Sequence, residues 1–212
     1  MDPIRDYLER TSSASRHIFH GIDELVGPLR HHRVPLFVGW GESPEPYRQW
    51  LAEHENEVRE SLAIQEKYAQ ELFAIATLCG AILQIAFHAF QLCSTHAVVP
   101  DALKGVIRED AKAVKFCAGR TVKGVPLGII VYVGRNQHMH FEDAKLQGVS
   151  KTLFQLILEG EHERDLSRLV ADEHMLIGVE SGTSLAKAFM DLMRWHSYEA
   201  YEQDMVRTLE QV

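Results

Sequence analysis

Residues 125–143 read VPLGIIVYVGRNQHMHFED, and the state of the first nine decides the fold class. Ile129, Ile130, Val131, Tyr132 and Val133 are strong strand formers. The same run also suits a buried helix opened by Pro126, because a short apolar run has no period that separates the two. Behind it stand Arg135, Asn136, Gln137, His138 and His140: a fixed charge, two amides and two imidazoles at the end of a core segment.

The flanking sequence favours helices. The chain has 212 residues, 46% of them hydrophobic, enough for a substantial core. Four of the 7 prolines fall between Pro28 and Pro46, which leaves the rest free to be helical. Residues 3–27 show partial 3.6-residue spacing through Ile4, Leu8, Ile18, Ile22 and Leu25. Residues 28–46 carry turn signals. From Pro46 to Thr95 there is no proline and one glycine, Gly80, consistent with one long helix or two that meet there. A short helix is expected within 101–116. Two more are expected over 149–161, with Ser150 as cap, and over 184–212, with Thr183 or Ser184 as cap. The fold class is therefore all-α.

Residues 72–93 contain no formal charge and are long enough to span a bilayer. Gln84 and His88 lie i, i+4 on one face, and no basic cluster flanks the segment, so a buried core helix is expected. The acidic N-terminal residues and the missing apolar run give no signal-peptide pattern. Cys79, Cys93 and Cys117 have no framework or zinc spacing, which points to reduced thiols in a cytoplasmic protein.

The net charge is −8, unevenly spread. Residues 101–135 hold 7 basic and 3 acidic groups, a net +4, and run straight into the polar cluster. Such an island can serve a polyanion; it can equally be a solvated face balanced by acidic neighbours.

Arg135 and His140 form the pattern R-N-x-x-x-H. On a regular helix Asn136 and His140 share a face, while Arg135 does not. These groups suit a phosphodiester. Histidine can move a proton near neutral pH, and arginine can hold two phosphate oxygens. A 2′-hydroxyl attacking its own phosphate needs both an acid and a base and no metal. A second copy of the motif, brought by a two-fold axis, would complete the pair. A structural alternative pairs Arg135 with Glu142 or Asp143 and buries the histidine. His138-Met139-His140 is a weak metal pattern without a third ligand. His17, His20, His31 and His32 read as surface residues.

The stretch RNQHMH resembles the R-x4-6-H signature of the HEPN superfamily, in which a polar residue such as Asn136 commonly follows the arginine. The wider stretch FCAGRTVKGVPLGIIVYVGRNQHMHFED is similar to a plasmid- and defence-associated branch. The resemblance covers about residues 50–160. It implies a HEPN-like helical bundle as the core over 46–160; the N-terminal helix and loop extension over 1–45 and the helical segment over 161–212 lie outside the resemblance and are read as additional helices of one compact domain. It implies a homodimeric, metal-independent endoribonuclease without a cofactor, with RNA as partner and a possible cognate antitoxin or phage-defence role. Arg135 and His140 carry over as catalytic and Asn136 as their support; His138 has no position in the motif and is a bystander or an RNA phosphate contact, and Arg120 and Lys123 in the GRTVKG turn are RNA contacts or simply exposed turn residues. Two rivals stand beside it: a non-catalytic HEPN-like module that binds nucleotide, RNA or protein, and a purely structural helical adaptor.

Overall fold

The computed structural model describes residues 3–32, 35–39, 43–143, 148–159 and 183–210. The 161–182 portion of the expected C-terminal segment, and the ends of the expected helices at 160–161 and 211–212, lie outside them. Among the described residues are seven α-helices and one two-stranded hairpin, so the fold is all-α. The helices are α1 (Pro3–His31), α2 (Glu45–Glu53), α3 (Glu55–Cys93), α4 (Leu127–Met139), α5 (Gly148–Glu159), α6 (Ala186–Leu192) and α7 (Tyr198–Glu210). The chain divides into two units, Met1–Phe19 with Ala76–Val212, and His20–Ile75.

Residues 125–133 are split between the two states the sequence left open. Thr121–Val122 and Val125–Pro126 pair antiparallel as β1 and β2. Lys123 and Gly124 make the turn with φ of 50° and 75°, the left-handed geometry a tight hairpin requires. Pro126 then stands at the N-cap, and α4 begins at Leu127. The β-branched run is helical because it is buried on every side: Leu127, Ile129, Ile130, Val131 and Val133 are all at 0% exposure.

In the larger unit, α4 runs antiparallel to the end of α3. Gly80 meets His138, Gln84 meets Arg135, Phe87 meets Tyr132, and Phe90 meets Gly128. Gly80 does not break α3, whose last 15 residues bury Cys79, Ile82, Leu83, Ala86, Ala89 and Phe90. By length and composition alone α3 could cross a membrane; here its apolar face lies in the core beside α4. Phe87, Phe90, Phe116 and Tyr132 form a ring cluster at this seam.

Three expectations are corrected. Residues 101–116 make two 3₁₀ segments, Asp101–Leu103 and Lys112–Phe116, and no α-helix. Ser150 is not a cap, since α5 starts at Gly148 and the Ser150 hydroxyl accepts from Asn136. The C-terminal helix is broken between α6 and α7, where Arg194 takes φ 59°. Its first part, α6, has Leu185 and not Thr183 or Ser184 at the N-cap, and Ser184 accepts the Ala186 N–H at 3.3 Å from one position earlier.

The break is held by a polar clamp. Arg120 grips the Asp204 carboxylate through Nε (2.9 Å) and Nη2 (2.7 Å) and donates from Nη2 to the Met193 carbonyl (2.6 Å). Trp195 Nε1 donates to the same carboxylate at 2.9 Å. Asp204→Ala strands both donors. With Arg120 part-exposed, the expected loss is about 2 kcal/mol, read from chemical denaturation.

In the smaller unit, Trp50 stacks on Tyr47 and on His54, while Phe37 meets Tyr47 edge-on and Trp50 at a tilt. The α2 helix carries Tyr47 and Trp50, with His54 as its C-cap, and has no buried residue.

Candidate functional site

The end of α4 is polar because its last turn leaves the core. Gln137 remains buried and structural: its Nε2 donates to the Thr183 carbonyl and its Oε1 accepts from the Leu185 N–H, both at 2.7 Å. It ties α4 to the start of α6, a role its place in the motif did not announce.

Arg135 is half-buried and fixed from three sides. Its Nε donates to Gln84 Oε1 at 2.8 Å and its Nη1 to Asn136 Oδ1 at 3.2 Å. Its guanidinium carbon lies 4.8 Å from the centre of the Phe87 ring, within cation–π range. Among the described residues Nη2 makes no hydrogen bond, so one edge of the guanidinium remains for an anion. Asn136 in turn donates to Ser150 Oγ at 3.2 Å. On the far side of Gln84, its Nε2 is 2.6 Å from His88 Nε2. The result is one hydrogen-bonded chain, His88–Gln84–Arg135–Asn136–Ser150, across α3, α4 and α5.

His140 lies outside that chain. It is the C-cap residue of α4, with φ −130°, and its ring is exposed. Its Nδ1 is 3.2 Å from Asp143 Oδ2, which orients the ring and leaves Nε2 to solvent. The structure thus joins Arg135 to Asn136 and shows no contact between either and His140. Asp143 pairs with the histidine, while Arg135 takes an amide.

His138 is half-buried, with Nδ1 2.7 Å from Ser184 Oγ, and its ring fills the space over Gly80. A Cβ at position 80 would stand 2.0 Å from His138 Nε2. Burial, followed by the Arg135 charge, lowers the His138 pKa below the usual imidazole range. A histidine held neutral in the fold must charge on acidification. The unfolded chain then binds the extra proton, so stability is present above about pH 6.5 and is lost as pH falls toward the lowered value. Thermal melts should show that loss, and His138→Gln should flatten it.

The other expected RNA contacts are placed differently. Arg120 is engaged in the Asp204 clamp, and Lys123 is 7% exposed at the hairpin turn. The basic island is substantially neutralised in space. Lys104 pairs with Asp101 at 2.7 Å, Arg108 with Asp110 at 2.7 Å, and Arg120 with a carboxylate 84 residues away. Lys112 and Lys115 are exposed, the latter donating to the Gln91 carbonyl.

Among the described residues no three His, Cys, Asp or Glu side chains gather to hold a metal. Burial pushes the Cys79 thiol up to about 12 and the Cys117 thiol up to about 11, which leaves both poor nucleophiles. Comparison with family models, with curated proteins and with solved structures finds no match.

Proposed function

We propose that this protein is a metal-independent endoribonuclease of the HEPN kind, acting in the cytoplasm on RNA as a homodimer. The observation that carries this reading is the end of α4. There a buried helix presents a guanidinium anchored by Gln84, Asn136 and Phe87 with one edge uncommitted, followed five residues later by an exposed imidazole oriented by Asp143.

Each group then has a role. The Nη2 edge of Arg135 holds the non-bridging phosphate oxygens as charge develops. Asn136 braces Arg135 and is itself braced by Ser150. His140 Nε2 takes the 2′-hydroxyl proton or returns one to the leaving oxygen. Within one chain Arg135 is held across to Gln84 on α3, while His140 leaves the same end of α4 toward Asp143. A dimer that sets two α4 ends against each other brings one protomer's His140 to the partner's guanidinium edge and supplies two imidazoles.

A second reading is favoured by one observation, the internal pairing of the basic island. A HEPN-like module that binds a nucleotide or a protein needs only the Arg135 edge and no extended basic track. A cognate antitoxin would be one such protein partner.

RNA incubated in EDTA with the purified protein and with Arg135→Ala separates them. The ribonuclease reading expects cleavage by the wild type and its loss in the variant. Intact RNA beside a folded wild type would leave the binding module.

A further inference from the structure

Gln84 stands between two groups, and its single amide can serve them in one way only. Toward α4 it faces Arg135 Nε at 2.8 Å. An arginine can only donate, so the amide must present its oxygen there. That orientation turns the amide nitrogen, which can only donate, toward His88 Nε2 at 2.6 Å. His88 Nε2 must therefore be an acceptor, its proton must sit on Nδ1, and the ring must be neutral.

A protonated His88 cannot occupy this place. Both ring nitrogens then donate, and the Gln84 amide meets a donor on each side. Rotating the amide by a half turn satisfies His88 but sets the NH₂ against the Arg135 Nε–H. While the ring stays against Gln84, protonation of His88 and anchorage of Arg135 exclude each other. Among the described residues His88 meets Gln84 and Phe87 on its own helix, and Arg135 on α4 through Gln84. The 72–93 segment carries no formal charge, and no carboxylate among the described residues hydrogen bonds to His88. Packing does not account for the residue, because His88 is exposed.

We propose that His88, acting through Gln84, is a positioning residue for Arg135, and that it holds the guanidinium in place only while neutral. The functional weight of this rests on Arg135 as the phosphate-holding group. Acid pH then releases the anchor, leaving Arg135 with Asn136 and the Phe87 ring.

The test follows the hydrogen bonds themselves and needs no cleavage. Nitrogen–proton correlation spectra of the His88 ring and the Arg135 Nε–H are recorded from about pH 8 to about pH 5, the range over which imidazoles titrate. The wild type should show neutral His88 as the Nδ1–H tautomer. It should also show a protected Arg135 Nε–H that shifts and is lost with the same midpoint as His88. His88→Gln keeps an acceptor near Nε2 without a titration, so its Arg135 signal should stay constant across the range. A neutral Nε2–H tautomer, an Arg135 signal indifferent to His88, or the same pH response in His88→Gln would overturn the proposal. A protein that shows the coupled titration yet leaves RNA intact supports this inference and removes the ribonuclease reading.

Discussion

Gly128→Ala is expected to destabilise the protein by about 3 kcal/mol, near the upper end for an overpacked core site. The second residue of α4 lies where the helix start crosses the 112–116 segment and the end of α3. A Cβ there would stand 2.4 Å from the Phe116 carbonyl oxygen and 2.7 Å from the Phe90 ring. The carbonyl belongs to backbone and cannot rotate aside. The Gly128 N–H is also engaged, donating to the Ala118 carbonyl at 3.1 Å, so the helix cannot slide without losing that bond. Alanine's better helix propensity returns only about 1 kcal/mol. Gly105→Ala, with nothing within 4 Å of its Cβ, is the matched control and should change the denaturation midpoint little. Equal midpoints for the two variants would contradict the packing described for the start of α4.

His140→Ala is expected to lower the RNA cleavage rate by about 10²–10⁴-fold, the usual contribution of a general acid or base. The same change should leave stability within about 0.5 kcal/mol, because an exposed ion pair contributes little to folding. His140 and Asp143 are both more than 60% exposed, so the two effects separate cleanly. Asp143→Asn keeps the ring's surroundings but weakens its orientation, and should cost less activity than His140→Ala. His138→Ala should show the opposite balance. It empties the space over Gly80 and removes one of the two hydrogen bonds of Ser184 Oγ, so it loses stability before it loses chemistry. Single-turnover cleavage alongside denaturation of all three variants provides the comparison. Unchanged cleavage by His140→Ala would remove the residue from the mechanism.

The all-α class was legible because prolines are concentrated at 28–46 and long stretches elsewhere carry helical periodicity. What stayed hidden depends on contacts between distant residues. Nothing local in Ile129–Val133 distinguishes strand from helix; burial on every side of α4 decides it. The break at Arg194 has no glycine or proline to mark it, since the Asp204 clamp holds the left-handed turn in place. The basic island looked available because Asp204 lies 84 residues from Arg120. In the site, Arg135, Asn136 and His140 were readable as a set from their spacing, but their partners were not. Gln84 and His88 were visible as an i, i+4 pair; their link to Arg135 crosses 51 residues. The Asp143–His140 pair lies three residues apart and could have been read from the sequence, where the same aspartate was considered as a partner for Arg135.

The central claim is that the end of α4 drives attack of a 2′-hydroxyl on its own phosphodiester. The direct measurement is the chemistry of the RNA ends released by the purified protein in EDTA, with Arg135→Ala and His140→Ala as parallel reactions. The account predicts 2′,3′-cyclic phosphate and 5′-hydroxyl ends from the wild type and their absence from both variants. Products ending in 5′-phosphate, or cyclic ends formed equally by all three proteins, would contradict it.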